Sequence, residues 1–271
     1  MEYVALFFKI LFFTLGVPVI CGLVVGMCDK IFNFLMGRGI GRGMILGTSI
    51  IGTPVHELGH ALMCLIFAHK IDKIVLWQPQ SKNGTLGYVT HRYSSKNVYQ
   101  QLGNIFIGLG PMFSGLVVMI VCMLLCFPET ISTYADNAFS LVSDGDGFFS
   151  IMIEGVGIIP SMLEEWSDGV VPVWGRIIAV ILMLCVSLHI SLSPADVKVA
   201  LGGVPVYLVL TLIVTVIVSL IGTDAMESVG GALAGFCAAT FALFMLVFLF
   251  ALVQLLLGFV VFLIRKLIGL R

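Results

Sequence analysis

The sequence predicts an all-α polytopic membrane protein of about six transmembrane helices, with a small membrane-associated β-hairpin placed after the helix that carries its clearest motif. Three observations predict this. Hydrophobic residues make up 59% of the 271 and charged residues only 11%, whereas a soluble domain carries about 25% charged residues. Apolar runs of about 20 residues, the length that crosses a bilayer as a helix, recur six times. One H-E-x-x-H pattern, His56-Glu57-Leu58-Gly59-His60, interrupts a run otherwise nearly free of charge. A mean hydropathy of +1.13 excludes a soluble globule. The net charge of -1 hides signs segregated along the chain, and nothing in the pattern suggests a nucleic-acid partner.

The first run, residues 3–27, has neither a basic leader nor a small-residue cleavage site, so it reads as a retained helix; Lys9 is expected to snorkel to the interface. The link 28–43 sets Lys30, Arg38 and Arg42 among glycines and is expected to lie partly in the interface. The motif helix follows at 44–68. Thr53 and Pro54 resemble an N-cap with proline in the first turn, which predicts a break just ahead of the histidines. Residues 69–103 are too polar to span. Their strand-like stretches at 71–77 and 85–90 flank Asn83-Gly84, a strong turn signal, and predict a hairpin. Its edge is suited to hold an unwound peptide, or the hairpin merely connects two helices.

The third run, 104–127, contains Gly108, Gly110, Pro111 and Gly115, which predict a kink and close packing against the motif helix. Residues 128–171 carry eight acidic residues and no lysine or arginine, and read as an acidic extracytoplasmic loop with apolar pieces at 148–159 on the membrane surface. Within it Asp144-Gly145-Asp146-Gly147 lacks calcium-loop spacing and reads as a turn. The fourth run, 172–192, has Pro172 in its first turn and Arg176 near its outer end. Polar and apolar residues then alternate from Ser187 to Ser193, so the helix is expected to unwind before Pro194. Runs at 204–221 and 231–264 complete the set. The whole chain, 1–271, reads as one membrane-embedded domain with its core at 44–203.

Side chains four apart on a helix lie one above the other, about 6 Å along the axis, so His56 and His60 can aim ring nitrogens at one ion. Imidazoles suit zinc, which in catalytic sites takes three protein ligands and leaves a position for water; Glu57 beside them can accept that water's proton. Charged groups at membrane depth are costly and seldom idle. A hydrogen-bonded cluster between helices is the alternative use of the three residues. Asp196 is the candidate third ligand. Ser193-x-x-Asp196 also fits a capping box that opens a short helix, and the two uses are compatible. His189 is the reserve ligand. Glu154, Glu164 and Glu165 are further carboxylates, expected on the wrong side. The seven cysteines lack paired metal spacing and read as small core residues.

Basic residues favour the cytoplasm. Lys70, Lys73, Lys82, Arg92 and Lys96, then Lys198, then Arg265, Lys266 and Arg271 set their segments inside, and the acidic loop outside. The site is then expected toward the cytoplasmic side of a cell membrane, with the 28–43 link outside despite its positive charge.

Together, His56-Glu57-Leu58-Gly59-His60 on a membrane helix, a following hairpin with Gly87-Tyr88-Val89, the Gly110-Pro111 helix and a late aspartate beyond a broken helix resemble the site-2 protease family of intramembrane zinc metalloproteases. The resemblance covers residues 44–203. It implies a zinc cofactor held by His56, His60 and Asp196, with Glu57 activating water against a peptide bond of a membrane-embedded protein substrate in regulated intramembrane proteolysis. Better-known members carry an asparagine-proline element and an aspartate followed by glycine, where this chain has Ser193-Pro194-Ala195-Asp196-Val197. His189, Ser191 and Ser193 are therefore the candidates for substrate or oxyanion contacts. No PDZ-like or nucleotide-sensing domain of the kind some relatives attach is expected within these residues, so regulation is expected to differ. A silent zinc-binding scaffold or chaperone, an ion transporter, and a membrane zinc protease of soluble or lipidated peptides are the other readings.

Overall fold

Apolar chain in a membrane has only itself to satisfy its backbone, so helix dominates. The computed structural model describes residues 2–79, 84–143, 148–168 and 171–268. Helix α1 (Glu2–Leu11) continues through a π-helical turn (Phe12–Gly16) into α2 (Val17–Ile66). Strands β1 (Lys70–Val75) and β2 (Tyr88–Arg92) follow. After them come α3 (Val98–Cys126), α4 (Pro128–Ser143), α5 (Phe148–Asp168), α6 (Val173–Ser187), α7 (Pro194–Leu201), α8 (Val204–Ile221) and α9 (Thr223–Leu267).

Among the described residues, four helical stretches are long and apolar enough to cross a membrane: Glu2–Gly37, Val98–Cys126, Val204–Ile221 and Thr223–Leu267. The expected six are therefore not all met by length and composition. The two that fall short are the motif segment, diluted by its polar residues, and α6, which stops after 15 residues.

Three expectations need correction. The link 28–43 is helical on either side of Gly37, and no break falls just ahead of His56: the helix runs on through Pro54, and the one non-helical residue of α2 is Gly37, at φ 70° and ψ 169°. Only glycine takes that conformation without strain. The last carbonyls before this kink need other partners, and Arg265 donates to the Leu35 carbonyl at 3.2 Å. Second, Pro128–Ser143 and Phe148–Asp168 are the helices α4 and α5 rather than loop. Ile151 and Ile158 of α5 are buried in the main core and Gly155 lies against Met245 of α9, so this face meets protein instead of the membrane surface.

Third, the 28–43 link and the C-terminal tail, expected on opposite faces, lie at the same end of the fold. Leu6 and Ile10 cluster with Met226, while Phe32 and Leu35 lie against Gly258. The first span and α9 therefore run parallel, and the link lies at the same end as Arg265. Charge counting had set them on opposite faces. Lys30 and Arg42 now agree with Arg265 and Lys266.

Buried charge holds the acidic segment in place. Glu165 accepts from the Thr130 backbone N–H (2.8 Å) and hydroxyl (2.7 Å), anchoring a carboxylate at the first turn of α4. Arg176, expected near an outer end, is only 1% exposed. It donates to the carbonyls of Cys126 and Trp166 and lies over the Phe127 ring. Pro172 is the N-cap of α6 rather than part of its first turn.

The hairpin forms as expected, shifted by a few residues. Lys70 pairs with Arg92, Ile71 with His91 and Val75 with Tyr88, with a bulge at Asp72. Arg92 grips Asp72 with both ends of its guanidinium, which holds that carboxyl below the usual carboxylate range. Asn83 and the 144–147 turn lie outside the described residues.

Candidate metal centre

Four elements supply the site. α2 supplies His56, Glu57 and His60; α7 supplies Asp196; α3 and the unwound 188–193 segment supply the carbonyls that orient the histidines. The frame depends on one close crossing. A Cβ on Gly59 would sit 2.5 Å from the Gly110 carbonyl oxygen, and one on Gly110 would meet the Gly59 carbonyl at 2.7 Å, so the two backbones touch between the two histidines. Ser114 fastens the crossing by donating to the Val55 carbonyl at 2.8 Å. Close packing against the motif helix is thus the use of the α3 glycines.

Proline gives α3 a second role. Pro111 has no N–H, so the carbonyl four residues earlier, on Ile107, loses its helical partner. His60 takes it, donating from Nδ1 at 2.7 Å. His56 does the same with the His189 carbonyl at 2.7 Å, which is available because α6 has ended at Ser187. Both donations assign the Nδ1–H tautomer and leave the Nε2 lone pairs free. Those lone pairs face Asp196: His60 Nε2 lies 3.0 Å from Oδ1 and His56 Nε2 3.5 Å from Oδ2. Two nitrogen lone pairs and a carboxylate repel one another unless a cation lies between them. Histidines that hold a metal are oriented in this way, through the nitrogen not used for the metal.

Asp196 also keeps its structural role. Ser193 N–H donates to its Oδ2 at 2.7 Å, and Asp196 N–H donates to Ser193 Oγ at 3.2 Å, a complete capping box.

The potential ligand atoms of His56, His60 and Asp196 lie within 4.8 Å of one another, a group that can hold a metal ion. The donor set fits a borderline-soft divalent ion. Glu57, 5% exposed, lines the same cavity of about 650 Å3. So does Thr53, whose buried hydroxyl has no hydrogen-bond partner among the described residues. The hairpin forms the facing wall. Its Gly87 passes so close that a Cβ there would be 2.7 Å from Thr53 and 2.8 Å from Glu57.

The reserve ligand is not part of the cluster. The His189 ring packs on Gly52 and its Nε2 meets the Thr48 hydroxyl at 3.1 Å, so only its carbonyl serves the site. Ser191 and Ser193 line the cavity, but the Ser193 hydroxyl is committed to its cap. Glu165 is spent on α4, and Glu154 accepts from Asn137. Sequence reasoning missed the Ile107 carbonyl, although Pro111 four residues on was its signal. It also missed that Cys64 lies with His69 and His91 in a second group of potential ligands.

Comparison with known proteins finds no matching family model, no matching curated protein and no matching solved structure.

Proposed function

We propose that this chain is an intramembrane zinc metalloprotease of the site-2 protease kind, cutting peptide bonds of membrane-embedded proteins. The observation that carries the reading is the convergence of two oriented imidazole lone pairs and one carboxylate beside Glu57, inside a cavity walled by a hairpin. His56, His60 and Asp196 would hold the ion. Bound zinc would act as a Lewis acid toward the scissile carbonyl and the attacking water. Glu57 takes the proton of that water and returns it to the leaving amine.

The hairpin wall gives the substrate its conformation. A helical substrate has its carbonyls occupied by its own hydrogen bonds, so it must unwind before attack. An extended peptide laid along residues 84–89 would exchange those bonds for backbone bonds to the strand. Gly87 keeps the strand close to Glu57, and a side chain there would push the peptide away.

Zinc content of the purified full-length protein, measured beside Asp196→Ala, tests the reading. One equivalent lost in the variant, with cleavage of a membrane substrate lost in Glu57→Gln, supports it. The distances from Asp196 to the two histidines also suit an ion pair with protonated rings. If the wild type and the variant hold the same metal content, the ion pair and a silent scaffold are the better reading.

A further inference from the structure

At the far end of α2 the chain turns abruptly. Ala68 adopts φ 54°, the left-handed region that a residue with a Cβ rarely enters. Such strain persists only where the surroundings impose it, and it gathers at functional places. Here it turns His69 back beneath the helix, where its N–H closes on the Cys64 carbonyl at 2.8 Å. The His69 ring is then fixed on both sides. Nε2 donates to the Gln100 carbonyl at 2.7 Å, and the ring stacks on Tyr93 at 5.0 Å with the planes 17° apart.

That donation leaves the Nδ1 lone pair of His69 free, and it points at Nδ1 of His91, 3.0 Å away. His91 is brought there by the hairpin register, which sets it opposite Ile71. The sulfur of Cys64, a fully buried residue, completes a trio whose ligand atoms lie within 4.8 Å of one another. A tetrahedral zinc with bonds of about 2.0–2.3 Å holds its ligand atoms roughly 3.3–3.8 Å apart. The two nitrogens need open by only a few tenths of an ångström to reach that spacing.

We propose that Cys64, His69 and His91 form a second metal site, for a borderline-soft divalent ion such as zinc, that fastens the root of the hairpin to the end of α2. One thiolate and two imidazoles suit zinc and exclude magnesium or calcium. Three protein ligands leave one position open for water. The site does not depend on the protease reading, but it acts on the same cavity wall: His91 borders the cavity, and the strand it belongs to continues from Gly87 beside Glu57. Metal at the root thus sets where the hairpin lies over the candidate metal centre.

Sulfur separates the two sites experimentally. His56, His60 and Asp196 offer only nitrogen and oxygen, so a sulfur-to-cobalt charge-transfer absorption in metal-free, full-length protein titrated with cobalt(II) reports Cys64 alone. The band is expected in the wild type and in His56→Ala, and it should vanish in Cys64→Ser with the other six cysteines in place. His91→Ala, altering a half-buried strand residue, serves if the helix variant fails to fold; it should weaken cobalt binding at least tenfold. Bound cobalt without the band, or a band that survives both Cys64→Ser and His91→Ala, overturns the proposal and leaves His69 and His91 as a plain hydrogen-bonded pair.

Discussion

The two halves of the candidate metal centre are built in opposite ways. α2 presents His56 and His60 on an uninterrupted helix even though Pro54 stands two residues before the first of them. The candidate third ligand is presented by interruption: α6 stops at Ser187 and α7 starts at Pro194, and this break turns Asp196 toward the histidines. Proline occurs in both halves and in α3, so proline does not decide whether a membrane helix continues. The partners do. The Ile107 carbonyl, deprived by Pro111, is taken by His60. Ahead of Pro194 the chain has already left α6, and the Ser193–Asp196 capping box opens α7.

The contrast fails first at the Gly59–Gly110 crossing, because the unbroken half relies on it. Gly59→Leu should leave no folded protein recoverable from the membrane, judged by size-exclusion profile; a well-folded Gly59→Leu would mean the crossing is looser than its 2.5 Å approach. Next in size is Glu57→Gln, expected to cut peptide hydrolysis by about 10²–10⁴-fold with zinc content unchanged. Pro111→Ala sharpens the comparison directly. Restoring the N–H gives Ile107 back its helical partner, and His60 should lose its orientation, with metal affinity falling about 10–100-fold by competition with a chelator.

Ser193→Ala tests the broken half. Losing the cap should cost about 1 kcal/mol locally and weaken metal binding less than Pro111→Ala does. The reverse order would show that the broken half, not the unbroken one, limits the site. The smallest effect belongs to Arg92→Ala. Its partner Asp72 has its carboxyl held low, so any contribution is present at neutral pH and disappears as pH falls through the lowered value. The pair is exposed and screened. The melting temperature at pH 7 should stay within error of the wild type.

Much of the site could be read from the chain because its signals are local. The H-E-x-x-H spacing, the polar alternation before Pro194 and the capping box each lie within one or two turns of backbone. The strand pattern around Gly84 is equally local. What escaped was decided across long separations. Whether α2 breaks at Pro54 depends on its packing against α3, and which end of the fold the 28–43 link shares depends on α9, more than 200 residues later. The acidic segment looked like a loop because its charges dominate its composition. In the fold Glu165 is a helix anchor, and the apolar faces of α4 and α5 find α9. Cys64, His69 and His91 are joined only through a strand register that contains a bulge. No spacing rule in the sequence encodes that.

The parallel pairing of the first span with α9 also dictates an order of assembly. Chains fold from the N-terminus as they are made, yet the Leu35 carbonyl waits for Arg265 and the groove beside Phe32 waits for Gly258. The Ser187 hydroxyl, at the point where α6 gives way, waits for Gln254. The residues of the candidate centre are therefore synthesised long before the helix that packs against α2 and the end of α6. A ribosome still translating α9 carries a chain in which these three contacts are still unmade.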